Sequence, residues 1–169
     1  MTEIPTLTTA RCRLRPMTGD DWPAYLELMQ SERARFMGGP FTVAGAWGHF
    51  CADHAQWRFF GCGALMIDER GTGVSLGQVG INSGPCFPER ELGWLVYPNA
   101  EGKGYAFEAA AAFRDWARQV KGLETLVSYV DPGNLRSRKL AERLGAVLDP
   151  EANRPDPGDL VFRHFGDRR

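Results

Sequence analysis

EGKGYAFEAAAAF, residues Glu101–Phe113, sets two glycines around a lysine and passes directly into alanines and aromatics at helical spacing. Glycine loses more backbone freedom on folding than any other residue, so a pair of them against a helix start calls for a structural or chemical reason. Upstream, Glu91–Tyr97 (ELGWLVY) is rich in branched and aromatic residues and is stopped by Pro98, the pattern of a buried strand. Downstream, Ala109, Ala110, Phe113, Trp116, Ala117 and Val120 share one helical stripe while Glu108, Arg114, Asp115 and Arg118 face away, until Gly122 ends the helix. Leu123–Val130 (LETLVSYV) reads as the next strand. A strand that feeds a glycine loop and then a helix N-terminus aims several unpaired N–H groups at one spot, backed by about half a positive charge from the helix dipole. Gly102 and Gly104 let oxygens approach the backbone with no Cβ in the way, and Lys103 adds a point charge. The expectation is an anion cradle of a size to take a diphosphate.

The flanking chain reads as alternating helices and strands. Arg11–Arg15 (RCRLR) alternates charge with Cys12 and Leu14, as a strand with one buried face does. Thr18 or Asp20 caps a helix on which Trp22, Tyr25, Leu26 and Met29 recur, ending at the polar run SERAR. FMGGPFT is a break, and Val43–Trp57 is a second, less regular helix. Ala64–Ile67 and Val74–Ile81 form strands around the turn DERGTG. After Val130, DPGN turns into a last helix, Leu135–Leu144, closed by Gly145, with short strands at Ala146–Leu148 and Leu160–Phe165.

Composition narrows the classes of function. The 169 residues, 43% of them apolar, suit one domain, 1–169, with a real core. A net charge of -1, from 20 basic and 21 acidic residues, gives no general attraction to nucleic acid or to an anionic membrane, so any anion site is local. Cys12, Cys51, Cys62 and Cys86 contain no CxxC and lie far apart, which reads as free thiols in a reducing cytosol. No secretory leader or apolar run of membrane-spanning length is read, so the expectation is a cytoplasmic protein. His49 and His54 are off one helical face and His164 lies near the terminus, and no metal site is assigned to them. Trp47, Trp57, Phe59 and Phe60 read as core aromatics more readily than as a pocket lining.

Three nucleotide-binding patterns compete for the loop. A dinucleotide fingerprint needs a third glycine where this chain has Phe107, and a P-loop needs GxxxxGK followed by Ser or Thr. The remaining fit is Gln or Arg, any two residues, Gly, any residue, Gly or Ala, which falls on Glu101 to Ala106. TTARCRLRP, SERARFMGGP, ELGWLV, GKGYAFEA and the series Asn134, Ser137, Leu140, Leu144, Gly145 follow in order along the chain. On these motifs the chain resembles the GNAT superfamily of N-acetyltransferases, in its ribosomal-protein (Rim-like) branch.

The resemblance implies a mixed α/β fold with a mostly antiparallel sheet, splayed between ELGWLVY and LETLVSYV to admit acetyl-CoA. It implies that the backbone of Leu95 and Val96 pairs with the pantetheine arm and that the amides of Gly102, Lys103, Gly104, Tyr105 and Ala106 hold the pyrophosphate. It further implies that Asn134 contacts the pantetheine region and that Arg138 or Lys139 meets the nucleotide phosphate. Three positions depart from the pattern: Glu101 replaces Gln or Arg, Ala146 replaces Phe, and Ala141 stands where many members carry a tyrosine general acid. Ser137 is the substitute acid, or else a helix-start hydroxyl bonded to backbone. Glu91 is the candidate base, or else a solvated strand end. The partner is an amine acceptor, either a protein N-terminal α-amine or a small molecule, and a homodimer is compatible with the resemblance. A lysine ammonium takes about 4 to 5 kcal/mol to deprotonate at pH 7 and an α-amine about 1, so the acceptor decides how strong a base is needed. The alternative is an acyl-CoA-binding sensor or scaffold that has lost turnover.

Overall fold

The structure, a computed structural model, describes residues 3–167. Met1, Thr2, Arg168 and Arg169, the ends of the expected domain span, lie outside the described residues. Strands β1 (Leu7–Thr8) and β2 (Cys12–Arg15) lead through a short turn into helix α1 (Trp22–Met29). Helix α2 (Val43–Phe60) follows, then strands β3 (Ala64–Glu69), β4 (Ser75–Asn82) and β5 (Glu91–Val96). Helix α3 (Tyr105–Gln119), β6 (Leu126–Val130), α4 (Leu135–Arg143), β7 (Val147–Leu148) and β8 (Leu160–Phe165) complete the order. Among the described residues they form one eight-stranded sheet, β1-β2-β3-β4-β5-β6-β8-β7. Neighbours are antiparallel except β5 and β6, which α3 joins as a parallel pair, a link that needs a crossover helix.

The parallel pair comes apart almost at once. Glu91 opposite Val127 is the single register pair between β5 and β6. Two bonds fasten their first residues: the Val127 N–H donates to Arg90 O at 3.0 Å, and Ser128 Oγ donates to Leu92 O at 2.5 Å. His164 Nε2 lies 2.8 Å from the same hydroxyl, and its burial pushes the imidazole down to about 4, so this neighbour stays neutral. Beyond that point the strands diverge toward their carboxyl ends, where open α/β sheets characteristically receive ligands.

The two faces of the sheet are filled differently. On one, α3 packs Ala109, Ala110, Phe113 and Ala117 against Leu65, Ile67, Val79, Ile81 and Leu92, all fully or nearly fully buried. On the other, α1 and α2 bring Tyr25, Leu28, Met29 and Phe50 onto Met66, Ala64 and Tyr97. Arg15 ties this second layer down with paired bonds to Asp21, at 2.9 and 2.7 Å, and a third to Asp68 at 2.5 Å.

Four local expectations change. Val120 leaves the apolar stripe and is 73% exposed, because α3 stops at Gln119 and Leu123 takes the core position by bonding back to Ala117 O. Glu108 does not face solvent: it accepts bonds from Thr9 Oγ1, the Arg11 N–H and Arg11 Nε, pinning α3 to the β1–β2 turn. The strand expected at Leu123 begins at Leu126, since Leu123 is occupied in closing the helix. Of the aromatic group, Trp57 packs against Phe113 and Trp116 as core, while Phe59 and Trp47 are exposed. β1 has only two residues, too few to show a period in the sequence.

Candidate active site

Past the end of β5 the chain makes one 3₁₀ turn at Pro98–Ala100 and enters the glycine loop. Gly102 and Gly104 have φ of 74° and 83°, a region open to glycine and closed to most side chains. Gly104 is also the N-cap residue of α3, with no side-chain cap, and the first intrahelical bond is Glu108 N–H to Gly104 O at 3.1 Å. The amides of the first turn therefore face outward as donors. A Cβ on Gly102 would meet nothing within 4 Å, and one on Gly104 would meet Arg11 Nη2 at 3.4 Å, so the glycines serve conformation and approach and leave the space before them open. The loop is braced from behind. Arg11 donates to Lys103 O at 3.0 Å and lies over the Tyr105 ring, and Tyr105 Oη donates to Glu69 at 2.7 Å.

In front of the loop lies a cleft of about 960 Å³, at the upper end of ordinary ligand sites. From the sequence-derived set, Leu95, Val96, Gly102, Gly104, Tyr105 and Ala106 line one wall, and Asn134, Ser137 and Lys139 the other. Lys103 and Arg138 are outside the lining; Arg138 donates instead to Pro132 O at 3.1 Å. The cleft gains four cations that sequence reasoning missed: Arg33, Arg35, Arg136 and Arg143. They come from SERAR, from LRSRK and, for Arg143, from the last turn of α4, and a basic residue on a helix or turn carries no sign of the direction it takes. They also answer the departure at Glu101, whose carboxylate pairs with Arg33 at 2.6 Å and with Arg136. The negative charge at the cradle's edge is thus covered by two guanidinium groups, one from each side of the cleft.

The residues proposed for proton transfer stand on opposite faces of β5. Trp94 points to the α3 side, and its indole N–H donates to Ser137 Oγ at 3.3 Å, leaving the serine's own O–H available. Asn134 Oδ1 accepts the Ser137 N–H at 3.1 Å and so caps α4, which fixes where the serine stands. Glu91 lies on the other face, at the fastened end of the fork, where its carboxylate accepts from Asn82 Nδ2 at 2.9 Å. Burial pushes its pKa up to about 7 against the lowering effect of that bond. A carboxyl near 7 holds or releases a proton at working pH, as a general base does.

Glu91 is outside the cleft lining, so the near-neutral carboxyl and the glycine-cradled, cationic cleft lie on different faces of β5. The chain that builds them has close counterparts. Residues 11–147 match the family model described as an acetyltransferase (GNAT) domain. The chain is 56% identical to an acetyltransferase from Agrobacterium tumefaciens str. C58 of known crystal structure, covering 96% of this chain and 95% of that one, with a TM-score of 0.93. A ribosomal-protein-S5-alanine acetyltransferase from Vibrio fischeri shares the fold at 16% identity, with a TM-score of 0.64 over 95% and 94% of the two chains. An uncharacterized protein from Bacillus subtilis (strain 168), YkkB, is 31% identical over 88 residues, a match that spans about half of each chain, 51%.

Proposed function

The chain belongs to the GNAT acetyltransferase domain family, and from that premise we propose that it moves an acetyl group from acetyl-CoA to a primary amine by direct attack. The observation that carries this reading is the cradle of Gly102–Ala106, with its outward amides, at the mouth of a cleft lined by four arginines and Lys139. The residues fit the ligand: open backbone for a diphosphate, guanidinium groups for further phosphate, and the end of β5 at Val96, whose carbonyl accepts from Arg33 Nη2 at 3.4 Å, for the amide-bearing arm. Acetyl-CoA supplies an activated thioester carbonyl. On this reading Glu91 receives the proton that the acceptor ammonium must lose before it can attack, and the Ser137 O–H gives a proton to the departing sulfur. That the two stand on opposite faces of β5 suits the roles, because the amine arrives on one side of the carbonyl and the thiol leaves on the other. Residues 1–169 act as one domain in this proposal.

A panel of amines and amino-terminal peptides, offered with acetyl-CoA and a thiol-reporting dye, tests it. CoASH release that depends on an acceptor is expected. Calorimetric binding of acetyl-CoA with no release for any acceptor would instead favour an acyl-CoA sensor, the reading that Ala141 in the tyrosine position supports.

A further inference from the structure

The face of β4 and β5 that turns away from α3 carries a bare strip. In register, Gln78 lies opposite Leu95, Gly80 opposite Gly93, and Asn82 opposite Glu91. The central pair has no side chains. A Cβ on Gly93 would meet only Asn82 Nδ2, at 3.7 Å, and one on Gly80 would meet Ala64 and Asn82 at 3.5 to 4.0 Å, ordinary contacts with strand neighbours and none with α2. Helix α2 forms its roof, and two of its side chains reach the ends. Gln56 Nε2 donates to Asn82 Oδ1 at 3.2 Å, beside Glu91. Asp53 accepts from Tyr25 Oη at 3.2 Å and from the Gln78 side chain.

Asp53 and Glu91 thus close the two ends of a glycine-floored trough. Both are half-buried, and burial is the first cause of their raised pKa values. Gln78 and Asn82, which mark the two ends, are four residues apart on one strand, or about 13 Å. Gln78 is 6% exposed and its amide is held between Asp53 and Met17, so this end is built and not a chance surface contact. Neither the coenzyme cleft nor the proton steps above use Asp53.

We propose that this trough is the acceptor site and that Asp53 receives a second cationic group of the acceptor while Glu91 faces the reacting amine, making the substrate a small diamine in preference to a protein N-terminus. This rests on the acetyl-transfer reading. The chemistry favours it because an unpaired buried carboxylate is costly and a protonated amine satisfies it, whereas the main chain of a protein terminus brings neutral amides to that position. Burial pushes Asp53 up to about 7, with the Glu91 charge adding to the rise and the Tyr25 and Gln78 bonds opposing it. The two carboxyls repel, and a dication relieves both. Tyr25 is the other titratable group on Asp53, with Tyr97 beyond it, and Tyr129 and Asp159 are the others near Glu91; the tyrosines stay neutral at pH 7.

The test compares 1,3-diaminopropane to 1,6-diaminohexane with n-butylamine and an alanyl peptide, by CoASH release and by calorimetry in the presence of CoA. The wild type is expected to prefer one diamine length at least about 10-fold in kcat/KM over butylamine, in keeping with one desolvated ion pair. Asp53→Asn should collapse that ratio with an unaltered Kd for acetyl-CoA, and Asp53→Glu should restore part of it. Thermal unfolding of each variant verifies the fold, and Gly93→Val, which fills the trough at a different position, should block diamine binding independently. Equal use of mono- and diamines, a ratio that survives Asp53→Asn, or a peptide preferred over every diamine would overturn the inference and leave acetyl transfer standing. Diamine binding that needs Asp53 but never yields CoASH would support the trough and refute the transfer reaction.

Discussion

The two sides of β5 offer a ligand different means of attachment. On the proposed coenzyme side the groups that face the cleft are chiefly backbone, the glycine loop from Gly102 and the end of β5, with arginines around them. On the trough side the floor has no side chains at Gly80 and Gly93, and side chains from α1, α2, β4 and β5 provide the polar groups. A backbone site tolerates variation in side chains as long as the loop keeps its shape. A side-chain site changes its ligand with one substitution. The comparison teaches that, on the proposed reading, coenzyme recognition is a property of the fold, while acceptor choice is a property of a few residues.

The largest effect that would break this contrast is at the cradle. Gly104→Glu forces a side chain into a residue with φ of 83° and points a carboxylate at the phosphate position, so calorimetry should detect no acetyl-CoA binding. Retained affinity would mean that the loop is not the anion site.

Next comes Glu91→Gln, which keeps the shape and the Asn82 contact but removes the base. Turnover should fall by about 10² to 10⁴, more for lysine-like amines than for α-amines. Glu91 must be ionised to take a proton, so wild-type kcat should rise with pH through about 7 and level off above it. The variant should lose that limb and keep only the ionisation of the amine itself. Equal slowing for both kinds of amine would remove the proton-cost argument.

Ser137→Ala is milder. With the Trp94 indole left without its acceptor and the sulfur without its donor, kcat should drop by about 100-fold at most with no change in Kd for acetyl-CoA. A fall in melting temperature with kcat intact would assign the hydroxyl to packing.

The smallest effect is on stability, and it separates the two sides most cleanly. Glu91 and Asp53 have pKa values raised in the folded protein, so folding holds protons that the unfolded chain releases. Their contribution is neutral below the unfolded value of about 4, and stability is lost as pH rises toward about 7. Asp53→Asn and Glu91→Gln should therefore melt a few degrees above wild type at pH 8 and together with it near pH 4, in thermal scans at both values. Variants that are less stable at pH 8 would show that the carboxylates hold the fold together.

Much of the coenzyme side could be read in the chain. The strand ELGWLVY, the glycines at 102 and 104 and the stripe Ala109, Ala110, Phe113 and Ala117 are contiguous, and each obeys a local rule of spacing or backbone freedom. The errors were at element ends, where tertiary bonds intervened: Val120 lost its place to Leu123, and Glu108 turned inward to meet Arg11. The arginines of the cleft were visible only as polar runs, because their direction depends on how α4 and the turn after α1 are docked.

By itself the sequence determined the order of elements from β2 onward, the glycine loop and the family, since these rest on patterns a few residues long. Tertiary structure alone decided the trough. Asp53 lies on α2, Gln78 and Asn82 on β4 and Glu91 on β5, and they come together through the β4–β5 register and the seating of α2. A slip of one residue in that register would send Glu91 to the α3 side and close the floor with Val79 or Leu92, because strand side chains alternate between faces.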